Sequence, residues 1–429
     1  MNSEITSEFN HLYSSLQEND EKTLIKRLRN DLTDEEIDNH ICRNRDLVLD
    51  ITEECNFRCK YCAFSGIYER NRTHNPKRME FNTAEKAIDL FLKNILNKKR
   101  KLKINTISIG FYGGEPLLEF RLLKDIVKYA KKSMAKKGLD KVFELQFRLS
   151  TNGYLLNKKV IVDFLIKNRI GIDVSLDGPK EEHDKFRVTI NLEKSWKTIW
   201  NNLNYIYIKF PEFANKKITY LATLHPFHDF EQIDRFFMDN PKRFDVQKLL
   251  VNEVSKAFLK DSIKKKWFNQ KIPQVSHLKR MKDDKRLDSK FSLKKISSNQ
   301  TLTAMCFPGE VKFFVHTDGE ISICERVKND INIGNVYHGL DYNAIRRIQR
   351  LWNEQIIKNR CWECPALSIC YFCVAHSEDR DGISLNCTFK GRFQNILSQY
   401  LTDKENEKIR STEAVKNAEN NIKDYIKQL

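Results

Sequence analysis

The chain has 429 residues, of which 40% are hydrophobic and 31% are charged, and its formal net charge is +17. This length and composition favour a globular protein of two or three domains with a sizeable core. No apolar run reaches the about 18 residues that a membrane-spanning helix needs, which excludes an integral membrane protein of that type.

The N-terminal region is polar and contains no clear catalytic motif. Residues 1–45 are predicted to be helical, with a helix start between Asp31 and Asp38. The first residues, Met1 to Glu4, lack the apolar stretch of a signal peptide. We therefore expect a soluble, cytoplasmic protein, in which thiols stay reduced and clustered cysteines point to metal rather than to disulfides.

Apolar runs alternate with amphipathic stretches between residues 46 and 250. The apolar runs predict strands at Leu47–Ile51, Thr106–Phe111, Glu144–Ser150, Gly171–Leu176, Ile218–Leu224 and Phe244–Val251. Helices are predicted between them, among them Thr83–Leu96, Leu122–Met134 and Lys159–Lys167. This order is typical of βα units around a parallel sheet, where functional side chains gather at the carboxyl ends of the strands.

Three cysteines follow the first predicted strand with the spacing C-x3-C-x2-C: Cys55, Cys59 and Cys62. A closed iron–sulfur cluster takes four thiolates, and a structural zinc site also takes four ligands. Three thiolates hold three irons of a four-iron cluster and leave the fourth iron open. His74 is the nearest downstream histidine and lies too far along to complete a compact zinc knuckle, so a structural zinc site is the weaker alternative.

This triad, with the aromatic Tyr61 before its third cysteine, resembles the signature of the radical S-adenosylmethionine (SAM) enzymes. The resemblance implies an α/β fold with a partial (β/α)6 barrel, similar to a TIM barrel, as its core. It also implies that the open iron binds SAM and passes it an electron to release a 5′-deoxyadenosyl radical. The three cysteines would then be both metal ligands and catalytic residues.

The second strand is followed by Gly113-Gly114-Glu115-Pro116. Glycines let a backbone approach a ligand closely, and a carboxylate accepts hydrogen bonds from an ammonium group. A tight turn with Pro116 beginning a helix is the alternative interpretation. The segment resembles the GGEP motif of the family, which binds the SAM amino group, and this assigns Gly113, Gly114 and Glu115 to SAM binding.

The resemblance implies further SAM contacts. Asn152 and Ser175 follow the third and fourth strands, and the backbone of Phe64 would meet the adenine. Arg187 lies in a segment similar to one whose arginine pairs with the SAM carboxylate, as the guanidinium fork favours. Residues of these types also form turns, and a surface salt bridge is the alternative role for Arg187.

A second cysteine group has seven members: Cys306, Cys324, Cys361, Cys364, Cys370, Cys373 and Cys387. It resembles the SPASM extension, which binds two auxiliary clusters in radical enzymes that modify peptides and proteins. By the family pattern, Cys361, Cys364, Cys370 and Cys387 close one cluster, and Cys306, Cys324 and Cys373 hold the other with one ligand position open. Two zinc sites are the alternative, because C-x2-C pairs also bind zinc. Cys42 belongs to neither group.

The predicted domains are a helical segment (1–45), a radical SAM core (46–250), a charged helical bridge (251–300), a SPASM domain (301–390) and a C-terminal helix (391–429). The predicted function is a radical SAM oxidoreductase that crosslinks a ribosomally made precursor peptide (a RiPP maturase), with a thioether as the preferred product. The predicted cofactors are SAM and three [4Fe-4S] clusters, one binding SAM and two auxiliary.

Two other functions remain open. Sulfatase-maturing enzymes resemble the chain in both cysteine groups but place an aspartate after the cysteine that here is Cys324. This position is Glu325, a carboxylate that could still accept a proton. The other alternative is a non-catalytic adaptor that only stores clusters, although an open triad and an intact Gly-Gly-Glu argue against it.

The basic charge gives weak support to an acidic leader peptide as partner, since lysine-rich runs such as Lys98–Lys101 are also common on solvated surfaces. The function implies an electron donor such as flavodoxin or ferredoxin, and a separate leader-binding protein is an open possibility. We expect neither a nucleic acid nor a membrane as partner.

Overall fold

The structure of the protein is a computed structural model. It describes residues 18–66, 72–96, 106–225, 227–239, 249–253, 306–325, 331–363, 378–379 and 382–383. The predicted bridge beyond residue 253, the predicted C-terminal helix and most of the second cysteine group lie outside these ranges.

Six parallel strands run through the centre of a mixed sheet in chain order. They are β1 (Asp46–Thr52), β2 (Thr106–Gly113), β3 (Glu144–Thr151), β4 (Gly171–Ser175), β5 (Ile218–Leu224) and β6 (Leu249–Glu253). Each strand pairs with the next, which confirms the predicted α/β core. Residues 244–248, where the sixth strand was predicted to begin, lie outside the described residues.

Four short strands extend the sheet beyond β1. They are β7 (Lys312–Val315), β8 (Glu320–Ser322), β9 (Asn332–Asn335) and β10 (Gly339–Leu340). β7 is parallel to β1, with Phe313 opposite Leu47, whereas β8 to β10 are antiparallel to their neighbours. The part of the chain predicted as the start of a SPASM domain therefore completes the sheet of the core.

The described helices largely match the predicted ones. They are α1 (Glu18–Arg29), α2 (Asp34–Ile41), α3 (Phe81–Leu96), α4 (Phe120–Lys136), α5 (Lys159–Lys167), α6 (Lys180–His183), α7 (Trp196–Lys209), α8 (Pro211–Lys217), α9 (Phe230–Met238) and α10 (Tyr342–Lys358). α3 begins two residues before its predicted start, and α4 extends two residues at each end. None of the described helices is long and apolar enough to cross a membrane.

The central strands have one apolar and one polar face. Leu47, Leu49, Ile107 and Ile109 are fully buried. The alternate positions carry polar side chains such as Ser108, Arg148 and Asp173, and some of them are partly exposed. Because successive side chains point to opposite faces of a strand, this alternation leaves the second face of the parallel sheet available for polar chemistry.

The chain divides into two compact units. Residues 37–276 and 308–344 form the unit that contains the ten-stranded sheet and the cysteine triad. The other unit contains residues 1–36, 277–307 and 345–429. Within it, Asn353 of α10 donates a hydrogen bond of 2.8 Å to the carbonyl of Leu28 in α1, so the N-terminal helix is bound to a distant part of the sequence.

Candidate active site

The cysteine triad lies in the loop that leaves the carboxyl end of β1. This loop pairs with residues 186–190: the Arg58 amide donates to the Val188 carbonyl at 2.8 Å and the Lys60 amide to the Phe186 carbonyl at 2.9 Å. The Ile190 amide donates in return to the Asn56 carbonyl at 2.8 Å. The loop is thus anchored by a segment that follows β4 in the chain and lies 130 residues further along the sequence.

The three thiols are free and buried or half-buried. Two amides point at sulfur: Phe57 donates to Cys55 Sγ and Phe64 to Cys62 Sγ, each at 3.4 Å. Burial raises the pKa of Cys59 to about 12, and it also raises the pKa of Cys55 and Cys62. Because the bare thiolates are disfavoured here, a positively charged metal centre would be needed to hold them ionised.

The donor set fits an iron–sulfur cluster better than a single ion. In the part of the chain that the structure describes, no three His, Cys, Asp or Glu side chains converge to hold one metal ion. A cluster spreads its thiolate ligands over several irons, and amide hydrogen bonds to its cysteine sulfurs tune its potential. Cys55, Cys59 and Cys62 would hold it.

Gly113 and Gly114 allow β2 to pass directly against the start of this loop. A Cβ on Gly113 would lie 2.3 Å from the Thr52 carbonyl oxygen, and one on Gly114 would lie 2.2 Å from the Glu54 carbonyl oxygen. Gly113 also has φ +151°, which disfavours other residues. The glycine pair therefore serves a close backbone approach beside Cys55, in addition to any contact with SAM.

Glu115 is fully buried behind the glycines. Its Oε1 accepts from the Leu117 amide at 3.0 Å and from the Thr151 hydroxyl at 2.8 Å, and its Oε2 accepts from the Asn152 amide at 2.8 Å. Burial raises its pKa to about 7 despite these donors. Glu115 thus joins the carboxyl ends of β2 and β3, and its contact with the SAM amino group stays a prediction.

The other predicted SAM contacts are placed around the same edge of the sheet. Asn152 donates to the Asn56 side chain, within the cysteine loop, at 2.8 Å. Phe64 is buried, two residues after Cys62, and Ser175 is partly exposed at the end of β4. The structure brings them to one end of the parallel strands, as predicted for a ligand site there.

Arg187 forms a buried ion pair with Asp177, a partner that was not predicted. Its Nε and Nη2 donate to the two oxygens of Asp177 at 2.8 and 3.0 Å. Burial opposes ionisation of Asp177, but Arg187 holds its pKa below the ordinary value. The Tyr61 hydroxyl also donates to Asp177. A salt bridge, the alternative role for Arg187, is therefore present, but it is buried and adjoins the cysteine loop.

A second buried ion pair, Arg72 with Asp50, flanks the loop on its other side. The Arg72 Nε and Nη2 each donate to Asp50 at 3.1 Å. Asp177, Asp50 and Arg72 were not predicted as site residues, and the signal that could have indicated this pair is the polar Asp50 between Leu49 and Ile51 of β1.

Glu325, the predicted proton acceptor, is paired with Lys312 of β7 at 3.0 and 3.2 Å. Although burial opposes ionisation, Lys312 lowers the pKa of Glu325, so the carboxylate is charged. The thiol of Cys324 donates to it at 3.4 Å. An ionised carboxylate next to a predicted cluster ligand is compatible with a base but does not assign one.

The second cysteine group is described only in part. Cys306 is exposed, and Cys324 and Cys361 are half-buried. Cys364, Cys370, Cys373 and Cys387 lie outside the described residues. Cys42, at the end of α2, is half-buried and donates to the Asn39 carbonyl at 3.2 Å.

Comparison with known families decides what the triad belongs to. Residues 49–238 match the family described as the radical SAM superfamily. These residues are therefore similar to a radical SAM domain. The match begins in β1, ends in α9, and includes the triad, the glycine pair, Glu115 and Arg187, so it supports a four-iron cluster and SAM at this site.

Two curated relatives are similar to this domain. The radical SAM cyclopropyl synthase TigE of Paramaledivibacter caminithermalis is 28% identical over 166 residues, 36% of this chain and 33% of TigE. The cysteine-type anaerobic sulfatase-maturating enzyme of Clostridium novyi is 26% identical over 158 residues, 37% of this chain and 38% of that enzyme. The chain thus matches about a third of the length of these relatives, whose names support the prediction of a radical SAM enzyme.

The fold is similar to that of solved radical SAM structures. Native anSMEcpe with bound AdoMet aligns with a TM-score of 0.59 and 17% identity, over 83% of this chain and 98% of that one. The same protein with AdoMet and the Kp18Cys peptide aligns with a TM-score of 0.59 over 87% and 99% of the chains, at 16% identity. At these identities the likeness concerns the fold, an α/β radical SAM fold with a mixed sheet.

Proposed function

We propose that the chain is a radical SAM peptide maturase that abstracts a hydrogen from a ribosomally made peptide and directs the resulting radical into a crosslink. The observation that carries this proposal is the set of three free thiols at the carboxyl end of β1, with Gly113 and Gly114 packed against their loop. When bound, SAM and the cluster supply the radical chemistry, which protein side chains do not provide.

The residues of the chain supply position and environment. Asn152 and Glu115 tie the ends of β2 and β3 to the cysteine loop, and Arg187 with Asp177 fixes the side that faces β4 and β5. Rigid strand ends of this kind hold reacting groups in a defined geometry.

The peptide substrate is supported by the names of the similar proteins. One similar protein is named as a sulfatase-maturating enzyme, so it acts on a polypeptide. One similar structure contains the bound Kp18Cys peptide. A thioether is the preferred bond, because an auxiliary cluster with three protein thiolates leaves a position for a substrate sulfur. Similarity to a cyclopropyl synthase keeps carbon–carbon bond formation as the next choice.

Formylglycine formation is the second candidate, favoured by one contact. Glu325 stands at the position where sulfatase-maturing enzymes have an aspartate, and Lys312, on the strand beside β1, holds it as a carboxylate. We expect Glu325→Gln to abolish product with a sulfatase peptide if this candidate is correct, and to leave SAM cleavage intact.

The proposal is tested on protein purified and reconstituted without oxygen. Three clusters predict about 12 irons and as much sulfide per chain with little zinc, and dithionite with SAM should then yield 5′-deoxyadenosine. The variant Cys59→Ala should lose this product, whereas Cys42→Ala should keep it. Intact clusters without SAM cleavage would favour the adaptor. About 4 irons with zinc would retain the SAM site but remove the auxiliary-cluster mechanism and the thioether.

A further inference from the structure

Arg72 is a buried cation next to the cysteine triad. Its side chain is 6% exposed, and that of its partner Asp50 is fully buried. Asp50 lies in β1, opposite Tyr112 of β2, and its Oδ1 would lie 3.1 Å from a Cβ on Gly113, so the ion pair is next to the first glycine of the glycine pair.

A short chain of contacts connects Arg72 to a cluster ligand. The guanidinium carbon of Arg72 lies 3.6 Å from the centre of the Phe64 ring, which is the spacing of a stacked cation–π contact. The amide of the same Phe64 donates to Cys62 Sγ at 3.4 Å. Phe64 therefore contacts Arg72 through its ring and the sulfur of Cys62 through its amide.

Arg72 also has an unused donor. Its Nη1 is buried and has no hydrogen-bond partner among the described residues. Leaving such a donor unsatisfied is costly, so an acceptor is expected at this position in the loaded site.

We infer that Arg72 is a positioning residue for the cluster on the Cys62 side: its stacking fixes Phe64 and its charge favours the reduced cluster. The inference rests on the proposed function, because it requires a cluster on the triad. Electrons add negative charge to a cluster, so a nearby cation with limited solvent screening stabilises the reduced form.

The test is a reductive titration followed by electron paramagnetic resonance, using the signal that changes when SAM is added. Arg72→Met should shift the reduction equilibrium of this signal about tenfold toward the oxidised form, which equals about 59 mV for one electron. Asp50→Asn, which removes the opposing charge, should shift it the other way. Arg72→Lys should keep most of the potential, because it retains the positive charge.

The matched control is Arg78→Met. Arg78 lies in the same segment and forms ion pairs with Glu54 and Glu119, but its side chain is 58% exposed. Unchanged potentials in Arg72→Met and Asp50→Asn with wild-type iron content would overturn the inference. A wild type without the SAM-sensitive signal would instead overturn the proposed function. If Arg72→Met fails to assemble the cluster, Asp50→Asn alone tests the inference. A shift of its equilibrium toward the reduced form supports the inference, and no shift or a shift toward the oxidised form overturns it.

Discussion

Glu115 shows how one buried carboxylate can organise the end of a sheet. Its two oxygens accept three hydrogen bonds from β3 and from the turn after β2. The residue had been predicted as a SAM ligand from its motif, yet the structure also gives it an internal connecting role. A change here is therefore expected to alter both stability and SAM binding.

We expect Glu115→Gln to lower the free energy of unfolding by about 1–3 kcal/mol, because the new amide group faces donors instead of accepting from them. Urea unfolding of the two proteins measures this difference. Glu193→Gln, at an exposed position, is the matched control and should change stability little. Equal effects of the two substitutions would show that the Glu115 hydrogen bonds contribute nothing.

His183 is a second buried polar residue of the site, and it has a defined tautomer. Its Nδ1 accepts from the Asp177 amide at 3.3 Å, and its Nε2 donates to the Ser195 hydroxyl, which in turn donates to the Arg187 carbonyl. Burial lowers the pKa of His183 to about 3. The neutral form of His183 therefore supports the Asp177–Arg187 pair.

This low pKa predicts a pH effect on stability. The folded state binds the His183 proton more weakly than the unfolded state, so the stability linked to it is present above pH about 6.5 and is lost as the pH falls toward 3. Between pH 6.5 and 5 the loss should be roughly 2 kcal/mol. His183→Gln should remove this part of the pH dependence in urea unfolding. His338→Gln, at an exposed histidine, should retain it, and identical pH profiles for wild type and His183→Gln would refute the assignment.

At the scale of elements, the site depends on strands that pass very close to loops. β2 can follow the cysteine loop only because residues 113 and 114 lack a side chain. The sheet also gains β7 next to β1, and Phe313 of β7 is buried opposite Leu47. β1, the strand that leads into the triad, is thus paired with a neighbouring strand at both of its edges.

We expect Gly114→Ala to destabilise the fold by about 1–3 kcal/mol and to reduce the iron bound after reconstitution, because its Cβ would overlap the backbone of Glu54 and displace the loop that begins at Cys55. Gly171→Ala in β4 is the control, since its Cβ would meet only ordinary contacts of 3.6 Å or more. Urea unfolding and iron analysis measure the two effects. Wild-type iron binding in Gly114→Ala would contradict the close approach described here.

At the scale of the whole molecule, the charge of +17 is the property that bears on partners. A basic surface attracts acidic chains over long range, and salt screens this attraction. The same charge would also attract RNA, so the kind of partner has to be separated from charge by experiment.

We expect an acidic precursor peptide to bind the chain and to lose affinity when the salt concentration rises from about 0.05 to 0.5 M, because screening shortens the range of the attraction. Fluorescence anisotropy measures this change. The control peptide replaces Asp and Glu with Asn and Gln and should bind more weakly at low salt. Tight RNA binding with a steep salt dependence would instead favour a nucleic acid partner.

Much of the core was predictable from the sequence, because local signals are strong there. The predicted strand Leu47–Ile51 agrees with β1 within one residue at each end, and Lys159–Lys167 agrees with α5 completely. The positions of β7 to β10 were not predicted. They are short, and β7 is held by pairing with β1, from which it is separated by some 260 residues.

The sequence by itself determined the cysteine triad, the glycine pair and the parallel order of the core, since each is encoded in residue types at short spacing. Only the tertiary structure decided that Arg187 pairs with Asp177, that Arg72 pairs with Asp50 and stacks on Phe64, and that Glu115 joins two strands. Such contacts depend on which side chains meet after the sheet has formed. In the low dielectric of the interior, a buried charge must then find a partner, whereas the same residue at the surface could remain solvated.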